Sequence, residues 1–586
     1  MTRRGARPSR DRLRPLGAAL RLGVALAVAA AAVACSGEDV PDQPRTAAGE
    51  RARGAGTGFP FRDVTAESGV EFVHDNGAAG RRHYPETMGP GVALIDVDGD
   101  GDLDLFAVDS GSLPGDPRGV RPADDRLFLN RGDGTFEPAP AGSIPREEHG
   151  YGMGATAGDY DGDGRPDLYV MNYGPNRLLR NLGGGRFEAV AAGVDDPAWS
   201  VSGAFLDVDA DGDLDLYVAD YIAYDVEKEG PCRAGDLEIY CSPEQFPPVQ
   251  QRLYRNDGGR FTDVSIEWGV RADGRGMGVA AGDVDGDGDA DLYVANDRTL
   301  NFLYLNREGR RFDEVGTESG VAHSEVGMAE GGMGVVIADL SGRGGAEVFF
   351  TNFQKEPNRY FTPLAGGFWQ DESLASGLGF PSLEKVGWGI AALDVEGDGL
   401  LDLAVANGHV FDNAEEFLPG SSYAMADDLF LNRGDGRFER LEFPGPPLSS
   451  RGLAAGDLDG DGDPDLVIAS CGGRLRVWRN EAGDPQRFLV VDLQGRPPNT
   501  DAFGSTVTAS VGDRTLRRQL HGGGSYASHS DERLYLGLGG HGRAERVEVR
   551  WPDGTVEEAP DLAGGQRVVW RQGVGIVERR VLADGE

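Results

Sequence analysis

Val279-Ala280-Ala281-Gly282-Asp283-Val284-Asp285-Gly286-Asp287-Gly288-Asp289-Ala290-Asp291-Leu292-Tyr293-Val294-Ala295 is the stretch that decides the fold. An apolar run ends in an acid, alternate aspartates follow around two glycines, and a β-rich run comes next. Two strands joined by an acidic loop is the natural reading. The unit occurs seven times, beginning at Asp96, Asp159, Asp207, Asp283, Asp339, Asp394 and Asp457, and a spacing of about 60 residues belongs to propellers and solenoids. A third run, as in Leu127-Phe128-Leu129-Asn130 and Leu429-Phe430-Leu431-Asn432, and a fourth led by phenylalanine at 61, 136, 187, 261, 312, 368 and 438 complete a four-stranded blade. The Phe-led strand comes first, so the chain starts in mid-blade. Phe61-Arg62-Asp63-Val64 is therefore expected to supply the outer strand of the last blade and close the ring, which removes exposed strand edges. The expected fold is all-β: a seven-bladed β-propeller over residues 58–486, followed by a small all-β domain.

Within the loops, position 1 is always Asp. Position 3 is Asp98, Asp161, Asp209, Asp285, Ser341, Glu396 and Asp459; position 5 is Asp100, Asp163, Asp211, Asp287, Arg343, Asp398 and Asp461; position 9 is Asp104, Asp167, Asp215, Asp291, Glu347, Asp402 and Asp465. Glycine fills position 6 throughout and position 7 is free. An oxygen cage asks for this pattern, because alternate carboxylates converge, glycine permits the sharp turn and a backbone carbonyl serves at position 7. Four like charges so close repel unless a hard cation sits among them. Ca2+ is the expected ion, at about six structural sites, because each cage is nearly all protein. In the loop at Asp339, Arg343 puts a cation where the metal would sit, so an internal arginine–carboxylate pair or no ion is expected there.

The 586 residues carry 97 acidic and 57 basic side chains, a net charge of −40, which excludes a phosphate-backbone partner such as nucleic acid. None of the three lysines, Lys228, Lys355 and Lys385, follows a glycine, so there is no Walker-type phosphate loop. An arginine-rich start and the apolar stretch Leu22 to Ala34 read as an export signal over residues 1–35, too short to span a membrane. Ala32-Val33-Ala34-Cys35 resembles a bacterial lipobox, so Cys35 is a candidate for lipidation and Ser36 for an outer-membrane or surface address. Plain cleavage and secretion is the alternative, and the only expected membrane contact is through that anchor. Residues 36–57 read as a disordered tether. Cys232 and Cys241 lie in one proline-rich insertion, where an oxidising compartment favours a disulfide, and Cys471 is expected to pack as a small hydrophobe.

At these loops the chain resembles the FG-GAP/VCBS repeat family, whose integrin-α-like propellers carry calcium in such hairpins. The tail narrows the resemblance. Asn499-Thr500, Ala502-Phe503-Gly504-Ser505, Gly522-Gly523-Gly524-Ser525-Tyr526, Leu536-Gly537-Leu538-Gly539 and Val547-Glu548-Val549-Arg550-Trp551-Pro552-Asp553-Gly554 are similar to the ASPIC/UnbV domain, placed at 487–575 with a tail at 576–586. Repeats followed by that domain are similar to the cartilage acidic protein family. The resemblance implies a secreted or surface calcium-binding protein acting in adhesion or recognition, with an extracellular protein or glycan as partner and no catalytic residues.

Other candidates have plainer readings. Arg131-Gly132-Asp133 and Arg433-Gly434-Asp435 spell an integrin-binding tripeptide, yet both occupy the same turn of a repeat. Tyr169, Tyr217 and Tyr293 follow position 9 and suit packing between blades rather than a sugar platform. His149 and His409 belong to no catalytic motif. The insertion from Cys232 to Pro248 is expected to face a ligand, or else to act as a structural lid. A polysaccharide lyase or hydrolase with its site in the propeller channel is the alternative to a non-enzymatic module.

Overall fold

The computed structural model describes residues 58–146 and 150–583. Seven four-stranded antiparallel sheets carry the repeats. In the first, Val92–Ile95, Asp104–Ala107, Arg126–Asn130 and Phe136–Pro138 run from the centre outward, each paired with the next. The innermost strands of the others are Tyr151–Gly158, Ser200–Leu206, Gly276–Gly282, Val335–Ala338, Gly387–Leu393 and Ser450–Gly456. Each packs on the innermost strand of the next sheet, and the last returns to the first, so the arrangement is a closed β-propeller. Closure is made by the strand Phe61–Asp63, where Phe61 pairs with Asn480 and Asp63 with Trp478.

Alternation sets the packing, because side chains on the two faces of each sheet meet the neighbouring sheets. Phe106, Val108 and Leu127 of the first sheet bury against Ala155, Leu168, Val170 and Phe187 of the second. Tyr169, Tyr217 and Tyr293 are fully buried, and their hydroxyls donate to Val194 O, Gln251 Oε1 and Val321 O. They are packing residues with satisfied polar tips.

The fifth sheet departs from the expected pattern. Its outer strand is Trp369–Asp371, and Phe368 stands exposed beside it. The turn between the paired residues has the usual five residues, so it is Trp369, not Phe368, that takes the register phenylalanine holds elsewhere, opposite Pro363.

Residues beyond the seventh sheet form two further four-stranded sheets. One contains Phe488–Gln494 paired in parallel with Gln566–Arg571. Gly575–Val581, which reaches from the expected domain end into the expected tail at 576–586, is the last strand of that sheet because its backbone completes the ladder with Gln566–Arg571. Between them the chain runs through the ring. From Gly522 to Asp531 it bonds to the innermost strand of every sheet. His529 N donates to Val92 O (2.9 Å), Ala155 N to Ala527 O (3.1 Å) and Ala527 N to Ser202 Oγ (2.9 Å). Gly524 N donates to Val279 O (2.8 Å), Ser525 N to Val335 O (2.8 Å), Ile390 N to Ser525 Oγ (3.0 Å) and Asp531 N to Ala455 O (2.9 Å). The channel of the propeller is occupied by the protein's own chain.

Cys232 and Cys241 form a disulfide within the insertion. The insertion buries Tyr240 and Phe246, with Tyr224 and Val226 just ahead of it, among Tyr84, Trp199 and Tyr221. Asn413 Nδ2 of the sixth sheet's loop donates to Glu238 O (3.1 Å). The insertion is a lid, held down by the aromatic surface that its own side chains bring. Cys471 is buried and its thiol donates to Glu86 O (3.1 Å). The signal, the tether and Cys35 lie outside the described residues. Among the described residues, no helix is long and apolar enough to cross a membrane.

Candidate metal centres

Each acidic hairpin joins the two innermost strands of a sheet, and backbone amides pre-set its carboxylates. In the first, Asp96 accepts from Gly99 N (2.8 Å) and Gly101 N (2.9 Å), while Asp104 accepts from Val97 N (3.0 Å) and Asn130 N (2.8 Å). These bonds hold positions 1 and 9 facing across the loop. Five hairpins bring positions 1, 3 and 9 together with donor oxygens within 4.8 Å: Asp96, Asp98 and Asp104; Asp159, Asp161 and Asp167; Asp207, Asp209 and Asp215; Asp283, Asp285 and Asp291; Asp457, Asp459 and Asp465. Three converging carboxylates of this kind are able to hold a metal ion.

Position 5 does not join those groups. Asp100, Asp163, Asp211, Asp287, Asp398 and Asp461 instead accept the amide of position 7, at 2.9–3.2 Å in all six; for Asp211 the bond from Asp213 N is 2.9 Å and for Asp163 that from Arg165 N is 3.2 Å. A short side chain two residues ahead of an amide closes an Asx turn, and this local bond competes with the cage.

The hairpin at Asp394 does not gather its expected set of Asp394, Glu396 and Asp402. Glu396 is one methylene longer than aspartate and meets Arg433 Nη1 at 3.3 Å. At the hairpin of Asp339 the arginine–carboxylate pair, one of the two expectations, does not form. Arg343 is exposed and makes no ion pair among the described residues, while Glu347 is satisfied by the hydroxyls of Ser341 and Tyr360 (2.6 Å for the latter). Two neutral donors remove the need for a cation there.

Packing so many carboxylates into turns has an electrostatic signature. Burial, with the sister charges adding to it, pushes Asp104, Asp207 and Asp457 up to about 7 and Asp167 and Asp291 up to about 8. Asp215 and Asp465 are raised further by the same cause. Without a cation these groups hold protons near neutral pH; a divalent ion replaces the protons.

A device absent from the sequence reading ties hairpin to hairpin. The asparagine ending the third strand donates Nδ2 to the residue after position 1 in the preceding sheet: Asn130 to Leu458 O (2.8 Å), Asn181 to Val97 O (3.0 Å), Asn256 to Tyr160 O (2.8 Å), Asn306 to Val208 O (2.7 Å), Asn432 to Leu340 O (2.7 Å) and Asn480 to Val395 O (3.0 Å). The sequence shows these asparagines as turn residues, and only the ring reveals the partner. The fifth sheet has Pro363 at that register and lacks the latch. Asn306→Leu leaves Val208 O and Ala290 O without that donor, and chemical denaturation is expected to show a loss of about 1–3 kcal/mol. An unchanged midpoint would mean the latch contributes nothing.

The C-terminal sheets sit on the hairpin face. Arg533 and Arg567 donate to Gly101 O (2.6 and 2.7 Å), Arg514 to Asp398 O (2.6 Å), and Tyr535 Oη accepts from Asp457 N (3.0 Å). Arg131 pairs with Glu137 (2.6 Å), and Asp133 accepts from Thr135 N (3.0 Å), so that tripeptide is a turn engaged with itself. His409 is fully buried, with Phe411 N donating to its Nδ1 (3.0 Å), and burial with nearby Arg451 lowers its pKa to about 4. His149 lies outside the described residues.

Such a structure, a propeller of acidic hairpins with a C-terminal β module threaded through it, defines a class of repeat protein. The chain belongs to the FG-GAP-like repeat family, matching its model at residues 96–170, 159–218, 235–294, 283–350 and 394–468, and it carries an ASPIC and UnbV domain at residues 495–576. It is similar to cartilage acidic protein 1 of Mus musculus, 28% identical over 496 residues that cover 80% of this chain and 72% of that one. The Homo sapiens counterpart is 26% identical over 80% and 70%. Among solved structures, an Agrocybe aegerita lectin, described as recognising non-reducing terminal N-acetylglucosamine, aligns at TM-score 0.37 and 18% identity over 65% of this chain and 85% of its own.

Proposed function

We propose that the protein is an exported, calcium-stabilised, non-enzymatic recognition module for an extracellular protein or glycan, held at the outer membrane or cell surface through Cys35 or secreted. The observation that carries this reading is the set of five convergent carboxylate groups on hairpins that hold neighbouring sheets together. They are placed as clamps, and Ca2+ suits their all-oxygen donors and an extracellular setting. The disulfide of the insertion accords with an oxidising compartment. The enzymatic alternative placed its chemistry in the channel, through which Gly522 to Asp531 run.

The test is a capture experiment with envelope proteins and a glycan array, in Ca2+ and in chelator, run beside a polysaccharide turnover panel. Calcium-dependent capture without turnover is the expected result. Turnover of any polysaccharide would replace this reading.

A further inference from the structure

The threaded chain does not fill the channel evenly. On the side of sheets four to seven, a cavity of about 220 Å³ lies between the innermost strands and the segments Arg517 to Ser525 and Ser530 to Tyr535. Its apolar wall comes mostly from sheets five and six, through Val336, Ile337, Ala338, Ile390, Ala392 and Leu393. Ala338 and Ala392 stay part-exposed although they stand on innermost strands, and their small side chains leave the space open. A void of this size is unusual, because protein interiors pack with few holes larger than a water molecule.

Most of the polar lining is already engaged. Ser525 Oγ donates to Leu453 O (2.8 Å), His521 Nε2 bonds to Gln519 Oε1 (3.0 Å), and Asp531 accepts from the Tyr535 hydroxyl. Two carboxylates face the same space, and each is taken up by two backbone amides: Asp339 by Arg343 N and Gly344 N (2.9 Å each), Asp394 by Asp398 N (3.0 Å) and Gly399 N (2.6 Å). Arg518 is different. It is 8% exposed, its Nη atoms donate only to the neutral carbonyls Arg517 O (3.1 Å) and Gly399 O (3.2 Å), its Nε has no partner, and it makes no ion pair among the described residues. A guanidinium carries five N–H donors in a planar fork that suits a carboxylate, and burying one without an opposite charge beside it is costly. The hairpins at Asp339 and Asp394, which flank it, are the two that gather no metal cage, so no bound cation stands against an anion there.

We propose that this cavity binds a small amphipathic carboxylate, its anionic head on Arg518 and its apolar body against the innermost strands of sheets five and six. The combination of an apolar wall with one buried, unpaired cation is what such a molecule requires, since the few polar groups of a ligand pocket set orientation and selectivity. A cavity of about 150 Å³ takes up benzene, so this one has room for a ring of that size with a carboxylate attached. The site is separate from the acidic hairpins that gather a cage, and from any outer surface that would meet a protein or glycan.

The test uses the full chain saturated with Ca2+ and calorimetric titration with benzoate, set beside its neutral counterpart benzamide. One equivalent of benzoate is expected to bind, with benzamide weaker by roughly tenfold or more, because a charge-assisted pair of hydrogen bonds is lost. Arg518→Met is expected to remove that preference. Ala392→Leu keeps the guanidinium and fills the cavity, so it is expected to abolish binding of both probes, and it keeps the test decisive if Arg518→Met does not fold. Wild-type protein that binds no benzoate up to millimolar concentration, benzamide held as tightly as benzoate, or an Ala392→Leu protein that binds benzoate like wild type would overturn the proposal.

Discussion

Chelation is expected to lower the melting temperature of this protein by on the order of 10–20 °C. The magnitude follows from linkage. A site with a dissociation constant near 10⁻⁴ M, in the range of extracellular calcium modules, gains about 2.7 kcal/mol when the ion is at a hundredfold excess. Five gathered sites together reach on the order of 10 kcal/mol, comparable with the whole stability of an ordinary domain. The pH dependence carries a sign that identifies the cause. In chelator, the folded state binds more protons than the unfolded state between about pH 4 and 7, because burial raises carboxylates such as Asp104 and Asp457 to about 7. Stability then falls as pH rises through that window. With Ca2+ the ligands are deprotonated in the folded state as they are in the unfolded one, so the slope flattens. Thermal scans at pH 5 and pH 8, with and without chelator, should therefore show the calcium effect growing with pH; parallel curves would mean the hairpins do not bind the ion.

The second large effect concerns the channel. Tyr526 is fully buried, its ring 4.9 Å from that of Trp388 and its hydroxyl donating to Met88 O (3.1 Å). Tyr526→Ala is expected to cost about 3–5 kcal/mol by cavity formation. Gly91→Ala should be worse, because a Cβ there overlaps the Ala527 carbonyl oxygen and crowds Gly154 Cα, both backbone atoms with nowhere to move. Limited proteolysis is the readout. Faster cleavage within residues 520–531 in both variants is expected, and a wild-type pattern in Gly91→Ala would show that the segment does not depend on that close approach.

Much of this was legible in the repeat. The period, the Phe-led strand at the start of the ring and the positions of Asp and Gly in the hairpins define sheets, closure and clamps, since these depend on local chemistry repeated in register. What escaped the sequence is non-local. Gly522-Gly523-Gly524-Ser525 reads as a flexible turn, whereas its glycines serve contact with other backbones; a Cβ on Gly522 would overlap Phe205 O. The asparagine latches were visible only as turn residues because the acceptor lies in another sheet. Glu396 looks equivalent to aspartate on paper, yet it is one methylene longer and its carboxylate pairs with Arg433. The insertion reads as a ligand-facing loop or a structural lid because it is long and unlike the repeat, and what the sequence does not show is that its aromatic content packs with Tyr84 and Trp199.

The path of the chain through its own channel also sets an order of events at birth. The first strand, Phe61–Asp63, waits for Arg476–Asn480, and the amides of Leu94, Ala155 and Val335 wait longer still, for partners at 529, 527 and 525. A nascent or truncated chain lacking those last hundred residues has a wheel without an axle. The polypeptide thus stays unfinished until nearly all of it has emerged.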